Sequence, residues 1–207
     1  RKVDPQAEVP IFILGRVVLS RQLPDQYFGE GVTLFDKSTK LMQLTYKEKI
    51  GFIYDSTTLE LLHSFEFVTH TREGWGVTHD EKSNTFFVSD GSEWIFVWDA
   101  SSLKELRRMR VTMPDGEPLK FINELEFIKV NNRMMLLANV WTTDVLVSIN
   151  PENGVVESLY DLTNLWPYHE RPSNVDVFNG ISKSEVDNEV YVTGKWWPHI
   201  YKISLLE

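Results

Sequence analysis

The chain has no cysteine among its 207 residues. That excludes disulfides, thiolate metal sites and cysteine nucleophiles in one step. Asn-x-Ser/Thr acceptors are missing too, so glycosylation gives no sign of export. No apolar run approaches the roughly eighteen residues a membrane-spanning helix needs, and no charged, apolar and small-residue succession resembles a signal peptide. Positive charge is sparse. With Lys+Arg 21 against Asp+Glu 30 and a formal net charge of -9, a nucleic-acid groove is not expected. The single basic cluster, Arg107, Arg108 and Arg110, reads as the solvated face of a strand. The five histidines, His63, His70, His79, His169 and His199, are scattered without metal-ligand spacing. Neither a Gly-x-Ser-x-Gly elbow nor a phosphate loop occurs.

What is present is ordinary globular composition, 42% hydrophobic and 25% charged, enough for one domain with its own core. It is organised by a repeat. Glu30-Gly31-Val32-Thr33, Trp75-Gly76-Val77-Thr78, Asn123-Glu124-Leu125-Glu126 and Asn179-Gly180-Ile181-Ser182 each open a short apolar stretch after a polar turn, at steps of 45, 48 and 56 residues. Such steps suit the four-stranded blades of a β-propeller, the longest absorbing the Pro-rich polar loop from Trp166 to Asn174.

The strand pattern repeats with the motif. Second strands are expected at Leu41 to Thr45, Thr85 to Ser89, Met134 to Asn139 and Glu189 to Thr193. Third strands are expected at Gly51 to Tyr54, Trp94 to Trp98, Val145 to Ile149 and His199 to Ile203, and fourth strands at Leu61 to Phe67, Glu105 to Val111 and Val155 to Leu162. Turn formers such as Asp55-Ser56-Thr57-Thr58 and Asn150-Pro151-Glu152-Asn153-Gly154 separate them. The one helical candidate is a turn near Leu162 to Leu165. Arg1 to Asp4 reads as the end of a third strand and Arg16 to Leu23 as a fourth, with no first or second strand ahead of them. The expectation is therefore an all-β, five-bladed propeller in one domain. Residues 1–26 would form the outer strands of an incomplete blade, with further blades at 27–70, 71–118, 119–172 and 173–207.

In a propeller the first strand of every blade lines the central channel, so the motif heads fall in one ring: Glu30, Trp75, Asn123 and Asn179. A second ring at the ends of the second strands holds Tyr46, Lys47, Asp90, Trp141, Lys195 and Trp196. Aromatic walls around one carboxylate and one lysine suit a small-ligand pocket. Glu30 is expected to be the sole acidic side chain heading an inner strand and facing the channel. Asp90, before Gly91, reads as a turn former, with a calcium ligand as the alternative.

Several strings then resemble, in order and over nearly the whole chain, the glutamine cyclotransferases of the plant and bacterial type. They are Tyr27-Phe28-Gly29-Glu30-Gly31, Gln43-Leu44-Thr45-Tyr46-Lys47-Glu48, Gly51-Phe52-Ile53-Tyr54-Asp55, Glu73-Gly74-Trp75-Gly76 and Ser89-Asp90-Gly91-Ser92. Further on come Asn123-Glu124-Leu125-Glu126, Ala138-Asn139-Val140-Trp141-Thr142-Thr143-Asp144, Phe178-Asn179-Gly180-Ile181 and Val192-Thr193-Gly194-Lys195-Trp196-Trp197-Pro198.

The resemblance implies a five-bladed propeller that cyclises N-terminal glutamine of peptides and proteins to pyroglutamate with release of ammonia. It implies Glu30 as catalytic acid and base with Asn123 and Lys195 in the machinery. Trp75, Trp141, Tyr46, Asn179 and Trp196 would bind substrate. No metal or other cofactor is implied, and neither a nucleic-acid nor a membrane partner; a monomer in a secreted, periplasmic or endomembrane compartment is expected. The family usually carries Trp where Tyr46 stands, and its inner strand with a Gln-Gly pair has no counterpart here, so the chain is expected to be N-terminally incomplete relative to the family. Two other readings are a noncatalytic propeller binding peptide termini and a lyase or sugar-binding propeller, which would want paired carboxylates facing the channel.

Overall fold

The computed structural model describes residues 16–205. Among them, four antiparallel sheets succeed one another along the chain in a propeller-like arrangement of four blades. The first blade holds β1 Gly29–Phe35, β2 Lys40–Thr45, β3 Ile50–Asp55 and β4 Leu61–Glu66. The second holds β5 Val77–Asp80, β6 Thr85–Ser89, β7 Trp94–Asp99 and β8 Glu105–Arg110. The third holds β9 Ile122–Val130, β10 Arg133–Val140, β11 Val145–Ile149 and β12 Val156–Asp161. The fourth has three strands, β13 Phe178–Lys183, β14 Glu189–Gly194 and β15 Tyr201–Ser204.

Each blade is a meander because its turns are too short for anything else. Asp55 Oδ1 accepts the amides of Thr57 and Thr58, and Asp99 Oδ1 that of Ser102, closing the turns between third and fourth strands. Asn131 and Asn132, at φ +49° and +63°, give the β9–β10 hairpin the left-handed pair that matches strand twist. Burial follows position within the blade. The third strands β3 and β7 are buried along their middle four residues, β7 between two neighbouring blades and β3 between the second blade and the segment carrying Arg21 and Tyr27, whereas β4 and β8 lie at the rim and are mostly exposed. The rim position accounts for Arg107, Arg108 and Arg110, which pair outward with the Pro151 carbonyl, Glu105 and Glu93.

The core is divided among the seams between blades. Phe35, Met42 and Leu44 meet Phe86, Phe96 and Trp98 between the first and second blades. Phe87, Ile95 and Val97 meet Leu125, Leu136 and Val147 between the second and third. Leu137, Leu146 and Tyr160 meet Phe178, Ile181 and Val192 between the third and fourth. Each large apolar side chain fully buried in a seam contributes about 1.5–3 kcal/mol relative to exposure.

Three expectations are corrected. Arg16 to Leu23 forms no strand, and Val17 and Val18 stay exposed, since no ladder pairs this segment; its expected partner, Arg1 to Asp4, lies outside the described residues. The third strand of the last blade begins at Tyr201 instead of His199, because Pro198 has no amide to donate and constrains the chain on either side. Leu162 to Leu165 is a hydrogen-bonded turn, and the only helical stretch among the described residues is a 3₁₀ turn at Tyr168–Glu170.

Candidate functional site

The inner strands β1, β5, β9 and β13 follow one another around the channel. Glycines set how closely they approach. The Gly31 amide donates to the Trp75 carbonyl at 2.7 Å, and a Cβ at Gly31 would lie 2.4 Å from that oxygen. A Cβ at Gly76 would lie 2.2 Å from the Asn123 carbonyl oxygen. Ser89 Oγ ties the same place together, accepting the Gly76 amide at 2.8 Å and donating to the Asn123 carbonyl at 2.6 Å. Glu30, Trp75 and Asn123 therefore head three adjoining inner segments at one mouth of the channel, although Trp75 precedes the assigned strand β5 by two residues. The fourth head, Asn179, precedes Gly180, whose amide donates to Asn139 Oδ1 on β10 at 3.0 Å. Asn139 Nδ2 and Asn179 Oδ1 are buried without a hydrogen-bond partner among the described residues.

Aromatic side chains wall this mouth. The Trp75 and Trp141 rings meet edge to face at 5.5 Å, and Phe121 packs on Trp141 at 6.1 Å. Gly91, at φ +78°, lets the loop pass beneath the Trp75 indole, where a Cβ would come within 2.6 Å. Asp90, wholly buried, accepts the amides of Thr71 and Ser92, so its carboxylate closes a turn as its sequence context suggests. Tyr46 is half-buried beside Phe28 at 6.2 Å, with the Lys47 ammonium 4.6 Å over its ring. Trp196 is placed differently from the other aromatic candidates. It is 82% exposed at φ +63°, and its neighbour Trp197 takes the packed position against Trp166 and Phe178.

The electrostatics gather at the same mouth. Burial raises the proton affinity of Glu30; Lys195 opposes the shift and Glu73 reinforces it. The expectation that Glu30 is the sole channel carboxylate does not hold. Glu124, next to Asn123 on β9, is pushed up to about 8 by burial; the Leu125 amide opposes that, Glu126 and Glu30 reinforce it, and Lys195 opposes it. Glu126, two residues on and on the same side of β9, is raised to about 7 by burial, with Lys183 opposing. In a strand with one solvated face, Glu124 and Glu126 would point to water; an inner propeller strand has no such face. An acidic residue alternating with apolar ones in an inner strand is the signal that finds them.

The side chains assembled here offer proton carriers (Glu30, Glu124), hydrogen-bond donors (Asn123, Lys195, the Trp141 indole) and flat apolar walls (Trp75, Trp141, Tyr46). No group of three or more His, Asp or Glu able to hold a metal occurs among the described residues. Two grooves elsewhere, of about 490 and 960 Å³, are lined by residues such as Phe35 and Leu103 or Asp80 and Lys183, and include none of the ring residues.

Comparison with known proteins bears on this arrangement. The family model described as glutamine cyclotransferase matches residues 7–205. A curated Arabidopsis thaliana protein named glutaminyl-peptide cyclotransferase is 32% identical over 207 residues, which is 99% of this chain and 59% of the relative. The chain thus spans 59% of the length of that relative. Among solved structures, a glutaminyl cyclase crystal structure from Myxococcus xanthus superposes with a TM-score of 0.73 over 87% of this chain and 75% of the other, at 24% identity, a likeness of fold.

Proposed function

The chain belongs to the glutamine cyclotransferase family, and from that premise we propose that it cyclises N-terminal glutamine of peptides and proteins to pyroglutamate and releases ammonia, with Glu30 as general acid and base. The observation that carries the reading is the meeting of Glu30, Trp75 and Asn123 at one aromatic-walled channel mouth.

In this chemistry the neutral α-amine attacks the δ-carbon of its own side-chain carboxamide. A carbon–nitrogen bond forms, a second one breaks, and the departing nitrogen leaves as ammonia. Folding the flexible side chain into attack geometry supplies much of the acceleration, since oriented intramolecular reactions reach effective molarities of about 10⁵–10⁸ M. Trp75, Trp141 and Tyr46 are the walls that do this. Glu30 takes the amine proton and returns it to the leaving nitrogen; its raised proton affinity suits a group that must both accept and give, a service of about 10²–10⁴ in rate. Asn123 and Lys195 donate to the oxyanion, each such donor commonly contributing about 10²-fold. Asn179 and Trp196 complete the proposed substrate contacts, Trp196 from its exposed position at the rim. The reaction so written consumes no cofactor.

The finer architecture is proposed with it. The propeller has five blades, four of which lie among the described residues, and the protein acts as a monomer in a secretory, periplasmic or endomembrane compartment, on family resemblance. The test is ammonia release from a glutaminyl dipeptide, with the pyroglutamyl product identified by mass spectrometry. Turnover supports the proposal. Binding of the dipeptide without turnover replaces it with the noncatalytic propeller.

A further inference from the structure

We propose that Glu73 is a positioning residue of the channel mouth, one carboxylate that fixes the Trp75 indole against Trp141 and ties it to the Tyr46 wall. The inference rests on the cyclotransferase reading for its consequence and on the following contacts for its geometry. Glu73 Oε2 accepts the Trp75 indole N–H at 3.0 Å, the one donor that ring possesses. Its other oxygen lies 3.8 Å from Lys47 Nζ, and that ammonium sits 4.6 Å over the Tyr46 ring. The backbone around it is held from three directions. Thr69 Oγ1 donates to the Glu73 carbonyl at 2.7 Å, the Glu73 amide donates to Thr71 Oγ1 at 3.3 Å, and the Gly74 amide donates to the Tyr46 carbonyl at 2.8 Å.

The backbone bonds fix where the Glu73 side chain starts, and the carboxylate at its tip, held between the Trp75 indole and Lys47, fixes the orientation of that indole. Trp75 and Trp141 stand at 76° to one another, and rotation of Trp75 about its side-chain bonds would break that edge-to-face contact. Lys47 is largely exposed, at 62%, so its pairing with Glu73 is a tether between walls more than a source of stability. The carboxylate also lies within electrostatic reach of Glu30, the proposed proton carrier, and raises its proton affinity.

The test reads ring geometry without needing turnover. The Trp75–Trp141 pair contributes an exciton couplet to the far-ultraviolet circular dichroism, isolated as the difference between the wild type and Trp75→Phe. Glu73→Ala is expected to lose this couplet while keeping the cooperative unfolding of the wild type. Glu73→Gln, whose amide oxygen still accepts the indole N–H, is expected to retain it. In the active protein Glu73→Ala should lower kcat/KM for a glutaminyl dipeptide by about 10², the cost of misplacing a reacting group by about an ångström, with Glu73→Gln restoring most of it. If Glu73→Ala fails to fold, Glu73→Asp, which withdraws the acceptor by one methylene, serves for the same reading. An unchanged couplet in Glu73→Ala or Glu73→Asp overturns the proposal. Loss and rescue of the couplet in a protein that releases no ammonia would uphold the positioning role and overturn the cyclotransferase reading instead.

Discussion

The amide of Gly31 donates to the carbonyl of Trp75 at 2.7 Å, a hydrogen bond that joins two blades directly at the channel. Sheets that pack only through side chains stay about 10 Å apart. Here the backbones touch, and they do so where Glu30 and Trp75 diverge into the channel mouth. The site is therefore built on main chain, and the absence of a side chain at position 31 is what permits it.

Gly31→Ala would place a Cβ 2.4 Å from the Trp75 oxygen and 2.8 Å from the Val77 nitrogen. Both are backbone atoms of a neighbouring blade and cannot swing aside. The variant is expected to lose about 1–3 kcal/mol, the usual cost of overpacking. A denaturant midpoint equal to that of the wild type would show that the blades can separate here at no cost.

A second site of strain-free but costly interaction joins the third blade to the loop before the fourth. Arg171 Nη2 meets Asp144 at 2.7 Å, Arg171 Nε donates to the Trp166 carbonyl at 2.8 Å, and the guanidinium lies 4.6 Å over Trp197. Both charged side chains are largely shielded, at 8% and 16% exposure. Asp144→Ala leaves the guanidinium without its counter-charge and should cost about 3 kcal/mol, the lower end of the range for breaking a buried pair. Arg171→Met, which removes the charge together with its partner's need for it only in the double variant with Asp144→Ala, should be milder in that double variant than in either single one. Thermal melts of the three proteins decide it.

Much of this architecture is legible in the sequence because the repeat is carried by residues with a local mechanism. The second strands fall where alternating apolar residues and Asn or Asp turns put them, within a residue or two of β2, β6, β10 and β14. The ring heads Glu30, Trp75 and Asn123 are legible because their glycine partners Gly31 and Gly76 sit beside them in the motif. What escapes is whatever depends on tertiary surroundings. Glu124 and Glu126 have the pattern of a solvated strand face, and only their place on an inner strand keeps them half-buried with raised proton affinity. Trp196 and Trp197 are chemically alike neighbours, and a positive φ at Trp196 decides which of them faces solvent. Arg16 to Leu23 has strand composition without a ladder to join.

Glu124, half-buried on β9, gives a pH signature. Its carboxyl rises from 4.5 to about 8 on folding, so between those values the native protein holds a proton that the unfolded chain has released. Stability then falls as pH rises through that window and levels off above it. Glu126, raised to about 7, adds to the fall over the lower part of the same window. Glu124→Gln, a neutral mimic of the protonated acid, is expected to be less sensitive to pH across this window. Parallel pH profiles of the denaturant midpoint in the wild type and the variant would remove Glu124 as the origin of the slope.

Glu30 carries the prediction closest to the chemistry. It is half-buried, its proton affinity is raised by that burial, and Lys195 and Glu73 act on it in opposite directions. Glu30→Gln keeps size and hydrogen-bonding capacity but cannot accept a proton, so kcat for a glutaminyl dipeptide should fall by about 10² or more while KM changes little. Because Gln remains polar and of the same shape, the melting temperature should stay near that of the wild type, which separates lost chemistry from lost structure. A purely structural Glu30 would give the opposite pair of results, a lower melting temperature and near-normal turnover of the folded fraction. Near-normal turnover at an unchanged melting temperature would remove Glu30 from the proton path and direct attention to Glu124, another carboxyl within its electrostatic reach.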